Sequence, residues 1–115
     1  MIGIEEQQDL LKVHVFGEFS VDDFREFEDA MTDELRFAPK VRLVLDLTQM
    51  SGFTVDMAWE DIKFTRAHAH DFKRIAVVSS DQWISWMGWL NGLFTDAELQ
   101  VFQDLDDATA WANAG

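Results

Sequence analysis

Val41-Arg42-Leu43-Val44-Leu45-Asp46-Leu47 is almost continuously apolar, the pattern of a central parallel strand covered on both faces. Asp46 is the exception within it. A short loop through Ser51-Gly52-Phe53 is expected next, and then a helix from Thr54 to about His70. Thr54 supplies an N-cap, and Asp56, Glu60 and Asp61 place negative charge near the helix start, where the dipole favours it. Val55, Ala58, Trp59, Ile62 and Ala69 form the stripe that faces the sheet, whereas Met57, Phe64 and His68 fall on another side of the wheel. In open α/β folds ligands gather beyond the carboxyl ends of strands, so the loop after this strand is the first place to look for function.

Working outward, Leu11, Val13 and Val15 alternate with Lys12 and His14 as in a half-buried strand that continues to about Phe19. Ile2 to Ile4 forms its short hairpin partner, with a turn at Gln7-Gln8-Asp9. Ser20 and Asp23 have the spacing of a capping box. The helix they open carries Phe24, Phe27, Met31 and Leu35 at three- and four-residue intervals, and Pro39 separates it from the strand at Val41. Arg74-Ile75-Ala76-Val77-Val78 and Leu99-Gln100-Val101-Phe102 read as further strands. Ser79-Ser80-Asp81 offers caps for a third helix, and a last helix starts near Asp104 with Leu105, Ala108, Trp111 and Ala112 on its apolar side. The order ββαβαβαβα predicts an α/β fold: a mostly parallel sheet of four to five strands, an N-terminal hairpin and four helices in a single domain over residues 1–115.

Composition narrows the function classes. The chain has 115 residues, 48% of them hydrophobic, enough for one core. A signal-peptide pattern and a run of about 18 apolar residues are both missing, so a soluble, cytoplasmic protein is expected. The formal charge of −13 opposes nucleic acid, whose affinity for proteins comes largely from Lys and Arg. It also opposes anionic lipid, so a peripheral membrane contact would have to rest on apolar side chains. Without cysteine there are no disulfides, thiolate nucleophiles or cysteine zinc sites. Gly52 stands alone, far from any phosphate-binding glycine motif. His68 and His70 are two apart and point in different directions on a helix, so they do not chelate one metal. Neither metal nor cofactor is expected.

The stretch from Gln82 to Phe94 carries no charge and three tryptophans. Trp83, Trp86, Met87, Leu90, Leu93 and Phe94 cover one helical face, and Ile84 and Trp89 widen the apolar arc well beyond the roughly 100° that a surface helix needs. Ser85, Gly88 and Gly92 let a ligand or a second backbone approach closely. An unusually aromatic core or a homodimer interface accounts for this excess; so does a groove for an apolar small molecule or lipid, or an edge that faces a membrane surface. The groove would be lined by Phe53, Met57, Asp61, Phe64, His68, Trp86 and Trp89. Asp61 falls about two turns before His68, on the same side, but no serine or cysteine completes a triad with them, and no catalytic residue is assigned.

These residues together resemble the SpoIIAA-like branch of the STAS superfamily, the fold of the anti-sigma-factor antagonists. The resemblance rests on Leu45-Asp46-Leu47, Gly52-Phe53-Thr54, Glu60-Asp61-Ile62-Lys63-Phe64, and above all on His68 followed by Asp71-Phe72-Lys73-Arg74-Ile75-Ala76-Val77-Val78. Trp83, Trp86 and the Val101-Phe102 strand fit as well. It implies a non-catalytic domain whose βα units wind into a shallow superhelix. Antagonists of the wider superfamily are phosphorylated on a serine before the second main helix and so switch protein partners, and Ser51 occupies the corresponding place here. The fuller Asp-Ser-Ser-Gly-Leu-Gly signature is absent, and Asp56, Glu60 and Asp61 would repel an added phosphate. The leading expectation is therefore a non-enzymatic module binding an apolar or amphipathic molecule between the second and third helices, and the alternative is a partner-switching regulator.

Overall fold

The computed structural model describes residues 1–7, 10–37, 39–53, 71–79 and 98–114. Among them are strands β1 (Ile2–Gln7), β2 (Leu10–Phe19), β3 (Val41–Phe53), β4 (Phe72–Val78) and β5 (Glu98–Phe102), with helices α1 (Val21–Glu34) and α2 (Leu105–Ala114). The strands form one mixed sheet in the order β1-β2-β3-β4-β5. β1 runs antiparallel to β2, and the other three neighbouring pairs are parallel. The expected second and third helices lie outside the described residues.

α1 begins where the sequence says it should, because Ser20 solves the problem of the unpaired first-turn amides. Its Oγ accepts from the Asp23 amide at 3.3 Å, and an Asp23 carboxylate oxygen accepts from the Ser20 amide at 3.1 Å. Ser20→Ala is expected to lower the unfolding free energy by about 1 kcal/mol, measured by urea denaturation; an unchanged midpoint would mean that the cap is dispensable. The helix then buries Phe24, Phe27, Ala30, Met31 and Glu34, while Leu35 becomes its half-buried C-cap.

Strand alternation sends side chains to two cores. Leu11, Val13, Val15, Leu43, Leu47, Ile75 and Val77 meet the α1 stripe on one face. Leu10, Val44, Ala76 and Val78 meet Ala108 and Ala112 of α2 on the other. α2 starts at an Asp104 cap, whose carboxylate accepts from the Asp106 amide at 2.9 Å. Its far end is held by two strand arginines. Arg42 donates from Nη1 to the Ala112 carbonyl at 2.6 Å, and Arg74 donates from Nη1 to the Trp111 carbonyl at 2.6 Å. Arg74 also lies 4.5 Å from the Trp111 ring centroid and bridges Glu98 at 3.0 Å.

Two differences from the sequence reading concern β1 and β3. β1 extends past Ile4 to Gln7, because Glu5, Glu6 and Gln7 pair with Lys12, Leu11 and Leu10. β3 does not end near Leu47: Ser51, Gly52 and Phe53 are strand rather than loop. Gln49 and Met50 pair with Phe16 and Gly17 after a first register shift, and Gly52 and Phe53 pair with Glu18 and Phe19 after a second. His14 and Phe16 are two apart while their partners Asp46 and Gln49 are three apart, so β3 carries the extra residue of a bulge. That extra residue turns Met50, rather than Gln49, into the α1 core. β4 stops opposite Asp46, so β2 and β3 project beyond it as a two-stranded lip.

Candidate functional site

The first bulge of β3 builds a polar cluster at the foot of this lip. A bulged residue leaves the sheet ladder, and its amide needs another acceptor. Asp46 provides it: Oδ1 accepts from the Thr48 amide at 3.0 Å and from the Thr48 hydroxyl at 2.7 Å. The second carboxylate oxygen faces His14 Nδ1 at 2.9 Å, across the β2–β3 pair. The other ring nitrogen, Nε2, faces Glu5 of β1 at 3.2 Å. Three adjacent strands are thereby joined by side chains through one imidazole.

The electrostatics follow from partial burial. The His14 and Asp46 side chains are 20% and 13% exposed, and Glu5 is 57% exposed. Burial works against a charged imidazole, but hydrogen bonds to Asp46 and Glu5 outweigh it and raise the His14 pKa above the ordinary histidine value. Burial likewise works against the Asp46 carboxylate, and the Thr48 and His14 hydrogen bonds overcome it, leaving its pKa below the usual range. The cluster is not a nucleophile–base arrangement. The Thr48 hydroxyl donates to the acid rather than to the imidazole, and both ring nitrogens are engaged.

Of the residues expected to form a site, Ser51 is exposed on the β3 lip, next to Gly52, which is paired with Glu18. Phe53 closes β3. Met57, Asp61, Phe64, His68, Trp86 and Trp89 lie outside the described residues. Sequence reasoning marked Asp46 as an anomaly in an apolar strand but missed its union with His14, Glu5 and Thr48. The sole available signal was a charged residue where a core side chain belongs. Among the described residues, no helix is long and apolar enough to cross a membrane.

Comparison with known proteins places this architecture. A crystal structure of an uncharacterized protein of the DUF3478 family with a SpoIIAA-like fold, from Shewanella loihica PV-4, is 28% identical with a TM-score of 0.76; the match covers 97% of this chain and 92% of that one. The anti-sigma factor antagonist SpoIIAA in its unphosphorylated form is 9% identical with a TM-score of 0.65, over the full length of both chains. The Bacillus cell fate determinant SpoIIAA in its phosphorylated form is 10% identical with a TM-score of 0.55, covering 95% of this chain and 99% of that one. At such identities the two SpoIIAA structures speak for the fold alone. No curated protein is matched. The SpoIIAA-like family model matches residues 10–113, from the start of β2 nearly to the end of α2, and the chain belongs to the SpoIIAA-like family.

Proposed function

We propose that this chain is a non-enzymatic binding module that takes an apolar or amphipathic small molecule between segments 54–70 and 80–97, with peripheral attachment to a membrane surface. The observation that carries this reading is the uncharged stretch from Gln82 to Phe94, with Trp83, Trp86 and Trp89. A further fact supports it. β3 and β4 are parallel neighbours, so the segments that follow them both leave from the carboxyl edge of the sheet, where open α/β folds hold ligands. In this reading Phe53, Met57, Phe64, Trp86 and Trp89 supply the apolar wall, and Asp61 and His68 address a polar end of the ligand.

Tryptophan fluorescence titrated with a long-chain fatty acid, and co-sedimentation with phosphatidylcholine vesicles, test the proposal. A saturable blue shift and binding to neutral vesicles are expected. Anionic vesicles should bind less, because the chain carries a formal charge of −13. Absence of both a spectral shift and co-sedimentation would overturn it. The second reading, a partner-switching regulator phosphorylated at Ser51, is favoured by the exposure of that residue. The nearby pairing of Gly52 with Glu18 counts against it, since a carboxylate repels an added phosphate. A homodimer that hides the tryptophans, seen by light scattering, would leave little surface for a lipid.

A further inference from the structure

We propose that His14 is a proton-operated clasp that fastens edge strand β1 to the centre of the sheet, closed as imidazolium and half-open as neutral imidazole. Both ring nitrogens of His14 face carboxylate oxygens, Asp46 at 2.9 Å and Glu5 at 3.2 Å. An ionised carboxylate only accepts, and a neutral imidazole has one N–H, so only the imidazolium donates to both partners at once. Removing the proton leaves one nitrogen lone pair pointed at a carboxylate.

The geometry also decides which side opens. Asp46 is anchored by the amide and hydroxyl of Thr48 and is nearly buried. It stays in place and keeps the remaining N–H on Nδ1. Glu5 is mostly exposed and swings into water, where its desolvation cost vanishes. β1 lies at one end of the sheet and pairs with β2. The Glu5–His14–Asp46 chain thus ties it, across that neighbour, to β3. The charged groups around the imidazole on the described strands are Glu5 on β1, Lys12 on β2 with Glu18 further along, and Arg42 and Asp46 on β3. Lys12 stands directly opposite Glu5 in the ladder and offers the released carboxylate a second cation. Arg42 is committed to the α2 carbonyl of Ala112.

The sign of the pH effect follows by linkage. A group whose pKa is raised on folding contributes stability that is complete below its unfolded value and is lost as pH rises through the folded one. The His14 pKa is raised from 6.5, so the clasp is closed in mild acid and opens above that value. On the acid side the contribution of Asp46, whose pKa is lowered from 3.8, is lost as pH falls through its folded value.

The test is imidazole nitrogen NMR on the uniformly labelled full chain, from about pH 5 to about pH 9, with amide hydrogen exchange of β1 followed in parallel. Backbone-linked correlations assign His14 without any variant. Two protonated ring nitrogens are expected at the acid end, and β1 protection factors should fall about two- to fivefold as His14 loses its proton, the range for an exposed ion pair. Glu5→Gln should remove that pH dependence, because a carboxamide satisfies a protonated or a bare Nε2 equally. A single neutral tautomer at the acid end, β1 protection indifferent to the His14 titration, or unchanged pH dependence in Glu5→Gln would each overturn the proposal.

Discussion

Phe72→Ala is expected to destabilise the domain by about 3–5 kcal/mol, a large share of the roughly 5–15 kcal/mol that a domain of this kind possesses. Phe72 opens β4 opposite Val41, is fully buried, and belongs to the core beneath α1. Truncation removes the ring from a site where pairing with Val41 of β3 holds the backbone, so the cavity has little room to collapse. The melting temperature should drop by more than about 10 °C. Phe72→Leu, which keeps much of the volume, should cost about 1.5 kcal/mol or less. A melting temperature for the alanine variant within a few degrees of the wild type would contradict the assignment of this residue to the core.

The second large effect is expected at the end of α2. Arg42→Met retains most of the apolar stem but takes the donor away from the Ala112 carbonyl, which then lies at a helix end without its charged partner. Hydrogen bonds from charged groups are worth about 1.5–3 kcal/mol, and Arg42 is buried, so a loss of about 2 kcal/mol is expected. Arg74→Met should cost less, about 1 kcal/mol, because its side chain is more exposed and its Glu98 partner faces water. The double variant should fall short of the sum, since both arginines hold the same helix end. Urea denaturation gives the three values, and hydrogen exchange in α2 localises them. Equal costs for the two single variants, or protection in α2 unchanged by either, would refute this account.

How much of this was legible in the chain depended on how local the cause is. The Ser20 cap, the α1 stripe and the start of β3 depend on neighbours a few residues away, and sequence spacing revealed them. The end of β3 did not yield to the same reasoning. Thr48-Gln49-Met50-Ser51-Gly52-Phe53 has the polar and glycine content of a loop, yet it is strand because Phe16 to Phe19 pair with it beyond the bulge. Strand pairing is a tertiary event that periodicity does not register. The same holds for the cluster around His14, whose members come from β1, β2 and β3. Alternation made His14 an ordinary outward residue, and nothing near it in sequence announces Asp46. Gly17, with φ of +68°, marks the place on β2 where the lip departs from regular geometry.

The seating of α2 bears on how this domain tolerates change. Arg42 and Arg74 grip carbonyl oxygens, atoms that every residue type supplies, so these two hydrogen bonds are blind to the side chains of the helix, and only the stacking of Arg74 on Trp111 reads one of them. What restricts the last turn is volume at Ala112, which is fully buried. Exposed positions such as Ala110 and Asn113 are therefore free to drift without unseating the helix, and much of the instruction for docking is inherited in β3 and β4, with Ala108, Trp111 and Ala112 as the share that α2 carries.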